Sequence, residues 1–179
     1  MKYFIDKTIN ALKQRLQENN GVIRIQSAEG HLTYGTCKFF EPLDNKEILS
    51  FEKELGYKLP EDYIRFLQIT NGCKLFDHPE YGGESYLYGL YDIFELTYEE
   101  PNDGYLKIGY FYTNNIVIDL RAFNAGDLNY ILVKGHIDQF YEARKLNMNF
   151  ELWLDRFIMS QGALFWNWLI TAEKYYKNK

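Results

Sequence analysis

The chain has 179 residues, of which 46% are hydrophobic and 18% aromatic; this excludes a disordered protein and predicts one domain with a buried core. Its formal net charge of −5 argues against nucleic acid or an anionic membrane as the main partner. Asp6 and Lys7 lie where a signal peptide has its apolar run, and no stretch reaches the roughly eighteen apolar residues of a membrane span, so we expect a cytoplasmic protein.

The first forty residues predict a helix followed by a hairpin. Apolar residues recur at helical spacing over residues 3–18, and Asn19-Asn20-Gly21 is a typical helix end. Two extended runs follow at residues 22–26 and 31–40, and the small and glycine residues between them favour a turn. Because a lone hairpin is marginal in water and the helix has an apolar face to bury, we expect both to belong to the same domain as the rest of the chain.

Residues 47–72 predict two short helices joined by a tight corner. Asp44 and Glu47 have the spacing of a capping box at the start of the first helix, and Gly56 suits the left-handed conformation that ends it. Pro60 is typical of the first turn of a second helix, and Asn71-Gly72 of its end. We predict that the corner packs on the core through its large apolar side chains, Phe51, Leu55, Tyr63, Phe66 and Leu67.

The following segment, residues 75–106, is acidic and rich in tyrosine. It has eight acidic residues and no lysine or arginine, so its charge of −8 leaves +3 for the rest of the chain. Turn signals at Gly82-Gly83 and at residues 101–104 predict loops around a short strand at residues 86–88 and a helical turn at residues 92–96.

This acidic segment is the predicted partner-binding surface. Loops often carry binding residues, and tyrosines give rigid contacts with a polar tip. The predicted binding residues are Asp77, Glu80, Tyr81, Glu84, Tyr86, Glu99, Glu100 and Asp103. The alternative is a solvated face whose tyrosine rings lie partly in the core.

Three strands and C-terminal helices complete the predicted fold. Residues 105–111 and 115–120 have the spacing of an antiparallel hairpin joined through Thr113-Asn114, and residues 130–134 predict a third strand. Apolar residues over 150–158 form a helical face, Gly162 predicts a break, and residues 163–177 predict further helix. The predicted fold class is α+β, a single domain with a mostly antiparallel sheet packed by N- and C-terminal helices.

The sequence has no pattern typical of a catalytic or metal site. The histidines His31, His78 and His136 are scattered, and Cys37 and Cys73 fit neither a disulfide framework nor a metal knuckle, so we expect reduced thiols. No serine lies in an elbow motif, and there is no glycine-rich phosphate loop. We expect no catalytic residue, no cofactor and no metal; an enzyme built on two acids of residues 77–103 is the alternative that stays open.

Residues at fixed spacing through the corner resemble the signature of the SUKH superfamily. They are Phe51-Glu52, Leu55-Gly56, Leu59-Pro60, Tyr63, Phe66-Leu67 and Asn71-Gly72. The agreement continues in order through Gly89, Ile108-Gly109, Ile116-Val117-Ile118-Asp119 and a helix with Trp153, Leu154 and Phe157. The resemblance spans about residues 40–160, so residues 1–40 are an N-terminal helix and hairpin extension and residues 161–179 a C-terminal helix.

This superfamily contains the yeast Smi/Knr regulators of cell-wall synthesis and many bacterial immunity proteins. The resemblance implies a protein-binding module without catalytic activity, and in bacteria an immunity protein, or antitoxin, that binds and neutralises a cognate toxin, often a nuclease. Nuclease active sites are basic, so an acidic, tyrosine-rich surface would complement such a partner. The alternative within the same resemblance is a regulatory scaffold protein with no toxin partner.

Overall fold

The structure is a computed structural model that describes residues 3–96, 104–168 and 171–177. Within these residues one antiparallel sheet contains eight strands, each hydrogen-bonded to the next in chain order. The strands are β1 (Ile23–Gln26), β2 (Leu32–Phe39), β3 (Cys73–Asp77), β4 (Ser85–Leu87), β5 (Tyr105–Phe111), β6 (Asn114–Asp119), β7 (Ile131–Gly135) and β8 (Arg144–Lys145). Neighbours in sequence are therefore also neighbours in the sheet, as in a meander.

Seven α-helices lie in the same described residues. They are α1 (Ile5–Glu18), α2 (Asn45–Leu55), α3 (Glu61–Leu67), α4 (Leu90–Leu96), α5 (Leu120–Asn124), α6 (Phe150–Met159) and α7 (Ala172–Lys177). Short 3-10 helices lie at Ala28–Gly30, Phe140–Glu142 and Phe165–Asn167. The predicted α+β fold, with helices flanking a mostly antiparallel sheet in one domain, is confirmed. None of the described helices is long and apolar enough to cross a lipid bilayer.

The predicted corner between α2 and α3 is confirmed. Asp44 accepts hydrogen bonds from the amides of Lys46 and Glu47 at 2.8 and 2.9 Å, and the Glu47 carboxylate accepts one from the Asp44 amide at 3.0 Å. Gly56 ends α2 with a φ of 73°, which favours glycine. Four of the predicted apolar residues are buried and Leu55 is partly buried against the same core; the four are Phe51, Tyr63, Phe66 and Leu67.

The core lies between one face of the sheet and a layer formed by α1, α3 and α6. The ring of Phe111 on β5 packs edge-on against Trp153 and Phe157 of α6, at centroid distances of 5.2 and 4.8 Å. Phe66 of α3 packs against Phe150 of α6 in the same way at 5.1 Å. Because each buried aromatic ring removes about 150–250 Å² from water, aromatic packing is the main apolar link between these elements.

Buried carboxylates connect three helices at their N-terminal ends. Asp62 of α3 accepts hydrogen bonds from the Glu151 amide in the first turn of α6, at 2.9 Å, and from the Tyr130 hydroxyl. Glu151 in turn accepts from the amides of Phe4 and Ile5 at the start of α1, with 2.7 Å to Ile5. Amides in the first turn of a helix have no acceptor within the helix, so each carboxylate supplies one from a different element.

The opposite face of the sheet, which we call the outer face, carries a cross-strand row of polar and aromatic residues. Strand pairing sets them side by side from β2 to β7: Lys38, Lys74, Tyr86, Tyr110, Asn115 and Lys134. Residues that alternate with them along the strands, such as Leu75 and Ile116, are in the core. The row therefore points away from the helical layer.

The C-terminal segment differs from the prediction of continuous helix over residues 163–177. The structure has a 3-10 turn at Phe165–Asn167 and begins α7 only at Ala172, with residues 169–170 outside its described part. The predicted break at Gly162 is present, with a φ of 88°. Trp166 is buried, and its indole N–H donates to Asn114 Oδ1 at 3.2 Å. This tertiary contact, in place of helical periodicity, sets the course of the segment.

Candidate partner-binding surface

Five of the eight predicted binding residues lie on the hairpin of β3 and β4. They are Asp77 at the end of β3, Glu80 and Tyr81 in the connection, Glu84 just before β4, and Tyr86 within β4. The other three, Glu99, Glu100 and Asp103, lie outside the described residues. We call residues 77–86 the acidic hairpin.

The tip of the acidic hairpin is closed by backbone hydrogen bonds and by a ring stack. His78 and Gly82 exchange amide-to-carbonyl bonds of 3.1 and 2.9 Å. The Tyr81 ring stacks on the His78 ring at 4.7 Å, while His78 Nδ1 accepts from the amides of Glu80 and Tyr81. Tyr81 is nevertheless 84% exposed. The tip thus presents an exposed tyrosine whose ring is stacked on a neighbouring side chain.

Tyr86 joins the acidic hairpin to the outer face. Its ring stacks on Tyr110 of β5 at 6.0 Å, and Lys74 Nζ lies 5.4 Å from the ring centroid. Burial raises the pKa of the half-buried Tyr86, and the nearby carboxylates Glu84 and Asp77 raise it further. The structure therefore brings Asp77, Glu84 and Tyr86 onto one surface through the pairing of β3 with β4, which the sequence did not predict.

The carboxylates of the hairpin are not equivalent. Glu80 and Glu84 are exposed. Asp77 is partly buried, its Oδ1 is buried without a hydrogen-bond donor among the described residues, and a Cβ added to Gly83 would lie 2.5 Å from that oxygen. Burial raises the pKa of Asp77, and Lys74 opposes the shift. Glu80 and Glu84 are therefore the hairpin acids that are open to a partner.

Lysines lie next to the acidic hairpin, a feature that the sequence pattern did not indicate. Lys74 pairs across the strands with Tyr86, and Lys38 pairs with Lys74. Both lysines are exposed. The negative field therefore belongs to the hairpin tip, while the adjoining strands carry positive charge. A register prediction that paired Lys74 with Tyr86 would have been needed to foresee this.

A second acidic surface lies between α2 and α4. A groove of about 500 Å³ has an apolar floor formed by Leu43, Phe51 and Leu90. Its other lining residues include Glu47, Ser50, Glu54, Asn71, Tyr91 and Glu95. The Tyr91 hydroxyl donates to Glu95 at 2.9 Å. The described acids of residues 77–95 are thus divided between the hairpin and α4.

The nucleophilic and metal-binding groups are poorly placed for catalysis. In the described part of the chain, no three His, Cys, Asp or Glu side chains come together as a metal site. Burial raises the pKa of Cys37 to about 11 and also raises that of Cys73. A thiol that stays protonated at neutral pH is a weak nucleophile.

The region from just before α2 into α6 matches a known family. Residues 42–156 fit the model of the SMI1 / KNR4 family (SUKH-1). The chain belongs to this family. The resemblance predicted from the corner residues is confirmed.

Two bacterial relatives extend the comparison beyond the family match. The uncharacterized protein YobM of Bacillus subtilis (strain 168) is 36% identical over 190 residues, covering 100% of this chain and 100% of YobM. The uncharacterized protein YnaB of the same organism is 34% identical over 145 residues, covering 79% of this chain and 94% of YnaB. Since the YobM alignment covers α1, β1 and β2, this SUKH-1 chain shares its N-terminal region with that relative.

The candidate surface lies within the SUKH-1 match. The acidic hairpin and strands β3 to β8 are inside residues 42–156, whereas α1, β1, β2 and α7 are outside them. Lys38 belongs to β2 and so lies outside the match, while Lys74, Tyr86 and Tyr110 lie inside it. The outer face is therefore built mainly from the family core.

Proposed function

We propose that this SUKH-1 chain is a non-enzymatic immunity protein that binds a cognate bacterial toxin through the acidic hairpin and neutralises it. The observation that carries the proposal is the hairpin tip, where Tyr81 is fixed by its stack on His78 and yet 84% exposed, beside the exposed Glu80. Membership of a family that includes bacterial immunity proteins supports the same function.

The charges of the hairpin tip favour a basic partner. Glu80 and Glu84 are both exposed and lie on one short hairpin. Carboxylates in this position attract a basic surface over a distance of about 8–10 Å at moderate ionic strength. Such attraction acts mainly on the association rate, because it guides the encounter of the two proteins. A basic toxin, such as a nuclease, is the partner that fits.

The tyrosines of the hairpin would act at a later stage of binding. Tyr81 and Tyr86 lose little conformational freedom on binding, since one is stacked on His78 and the other on Tyr110. Fixed aromatic side chains are typical interface hot spots, and their loss acts mainly on dissociation. A stable complex needs about 800 Å² from each partner, which is more than the tip alone offers. Surface beyond the hairpin tip would supply the remainder.

The described carboxylates support a role in contact and not in catalysis. Asp62 and Glu151 are buried as acceptors for helix amides, whereas Glu80 and Glu84 are exposed to solvent. We therefore assign no catalytic residue, and the expected function needs neither cofactor nor metal.

The test is co-expression with the polypeptide encoded by the neighbouring gene. If that polypeptide is toxic, wild-type protein should restore growth and bind it in vitro. Glu80→Lys/Glu84→Lys should slow association strongly, and Tyr81→Ala/Tyr86→Ala should speed dissociation. Asp77 is left unchanged because its carboxylate is partly buried, so replacing it with lysine would affect folding as well as binding.

Glu18→Lys/Glu173→Lys is the matched control, because it makes the same change in charge at exposed positions on α1 and α7. It should leave binding and rescue unchanged. Growth that is not restored by wild-type protein, or binding that is unaffected by both hairpin variants, would overturn the proposal. A non-toxic neighbour together with other stable cellular partners would favour the regulatory scaffold.

A further inference from the structure

The loop that follows β7 exposes large apolar side chains. It comprises residues 136–143, and we call it the β7–β8 loop. Ile137 and Tyr141 in this loop are 89% and 83% exposed. Among the described large hydrophobic residues, only Tyr81 at the hairpin tip is exposed to a similar degree. Single exposed apolar residues are common on protein surfaces, so the exposure of Ile137 and Tyr141 indicates a binding site only if their surroundings also do.

The backbone of the β7–β8 loop is held by a buried lysine. Lys134 on β7 is only 8% exposed, and its Nζ donates to the carbonyl oxygens of Gly135, His136 and Asp138. An ammonium group is expensive to remove from water unless its protons are bound. With three carbonyl acceptors around it, Lys134 fixes the first half of the loop in one conformation.

Further contacts fix the remainder of the loop. Asp138 Oδ2 accepts from the Gly135 amide at 2.8 Å, and a Cβ on Gly135 would clash with that carboxylate. The ring of Phe140 lies parallel to that of Tyr105 on β5, with centroids 5.2 Å apart. The Glu142 carboxylate accepts from the Gln139 amide at 2.8 Å, which closes a capping box. The loop is therefore ordered, although Ile137 and Tyr141 face solvent.

An ordered loop with exposed apolar groups suits binding. Since Ile137 and Tyr141 stand on a backbone that is already fixed, a partner that covers them loses little affinity to loop ordering. Two such side chains remove about 300 Å² of surface from water when they are covered. That area forms a hot-spot cluster within an interface of standard size.

The β7–β8 loop is continuous with the acidic hairpin. The His136 ring packs edge-on against Tyr110 at 5.3 Å, and Tyr110 stacks on Tyr86. His136 also donates its amide to the Thr113 carbonyl, which ties the loop to the β5–β6 turn. An aromatic path thus runs across the outer face from the hairpin to the loop.

We infer that the β7–β8 loop is the apolar half of the partner-binding surface, with Ile137 and Tyr141 as its anchors. The inference rests on the proposed function, because it concerns the same partner. The partner is a folded protein with an apolar depression over the loop and basic residues over Glu80 and Glu84. The exposed Asp138 and Glu142 beside the anchors disfavour a phosphate backbone at this position.

The experiment measures binding of the purified polypeptide encoded by the neighbouring gene. Ile137→Ala/Tyr141→Ala should raise Kd about a hundredfold, mainly through faster dissociation, because hot-spot anchors are lost. Leu49→Ala/Tyr176→Ala is the matched control, since these residues are also exposed and apolar but lie on α2 and α7. It should leave Kd unchanged.

A third variant tests the ordering of the loop separately from its anchors. Lys134→Met keeps the apolar stem but removes the ammonium donor, so the loop should exchange its amide protons faster and Kd should rise about tenfold. Melting temperature and near-UV circular dichroism are compared for every variant, and the two surface anchor substitutions should leave both unchanged.

The possible outcomes separate the two proposals. Wild-type binding that is weakened by the hairpin variants but unchanged in Ile137→Ala/Tyr141→Ala overturns the role of the loop and leaves the proposed function standing. An equal loss in the Leu49 and Tyr176 control also overturns it, because the effect is then not specific to the loop. Absence of wild-type binding overturns the proposed function and the loop's role together.

Discussion

Carboxylates in two regions of this protein have opposite roles. Glu52, Asp62 and Glu151 are buried between helices, and each accepts a hydrogen bond from a backbone amide. Glu80 and Glu84 are exposed on the acidic hairpin, and their carboxylates have no donor among the described residues. The same chemical group thus accepts backbone hydrogen bonds within the fold in one region and is exposed to solvent in the other.

The difference arises from where unpaired backbone donors are available. The first turns of α1 and α6 and the bend at Leu59 each present amides that lack an internal acceptor, and a buried acid completes them. The hairpin satisfies its own backbone through strand pairing and the His78–Gly82 bonds. Its acids therefore have no structural donor to bind.

Among changes that affect the buried carboxylates, removal of residues 1–40 should destabilise the fold most. It deletes α1 and with it the Phe4 and Ile5 amides, which donate hydrogen bonds to the Glu151 carboxylate. It also exposes the part of the core that Ile9 and Leu12 cover. We expect an aggregated or unfolded product in size-exclusion chromatography and circular dichroism. A soluble, monodisperse chain with an unchanged melting temperature would show that the N-terminal region is a separate module.

Asp62→Ala should destabilise the fold by about 3 kcal/mol or more, because it leaves the Glu151 and Tyr63 amides and the Tyr130 hydroxyl without their acceptor. The free energy of unfolding from urea titrations is the measurement. Asp62→Asn is the control: it keeps the shape and one acceptor oxygen and should cost clearly less. An Asp62→Ala loss below about 1 kcal/mol would mean that the buried acid is dispensable.

The pH dependence of stability should test the burial of Asp62. Burial is the main cause that raises the pKa values of Asp62 and Glu151. A proton therefore binds these carboxylates more tightly in the folded state than in the unfolded chain. The stabilisation that proton binding gives is fully present below the unfolded-state pKa, near 4, and is lost as pH rises through the raised pKa of the folded state. The stability of wild-type protein relative to Asp62→Asn should thus increase as pH falls from 7 towards 4.

Asp6 acts in the opposite sense, since its bond with Arg65 lowers its pKa and its stabilisation is lost as pH falls through that lowered value. Because Asp6 is present in both proteins, its effect cancels in the difference. Urea unfolding at several pH values checks the prediction. A difference that stays flat, or that shrinks towards pH 4, would contradict the raised pKa of Asp62.

Glu80→Lys/Glu84→Lys should have the smallest effect on the fold. Both side chains are exposed, so the free energy of unfolding should change by less than about 0.5 kcal/mol. Urea unfolding of this variant beside the Glu18→Lys/Glu173→Lys control provides the measurement. A decrease of about 2 kcal/mol or more in the free energy of unfolding would show that Glu80 and Glu84 stabilise the fold, as the buried carboxylates do. The two regions would then not differ in the role of their acids.

The sequence by itself predicted what local chemistry fixes. The capping box of Asp44 and Glu47, the left-handed Gly56 and the apolar spacing of α1 and α6 all act within a few residues, and the structure has each of them. The strands β5, β6 and β7 were located within a residue or two for the same reason. The sequence also predicted a turn at Gly82-Gly83 and a short strand at residues 86–88, but it predicted neither β3 nor the pairing of β3 with β4.

Only the tertiary structure decided which residues meet across the chain. Asp62 and Glu151 are 89 positions apart, and no local pattern marks either as the acceptor of a distant amide. The pairing of Lys74 with Tyr86 and the hydrogen bond of Trp166 to Asn114 likewise depend on strand register and packing. The physical reason is that dihedral preferences and caps are set by neighbours in sequence, whereas burial and charge pairing are set by segments that come together only in the folded chain.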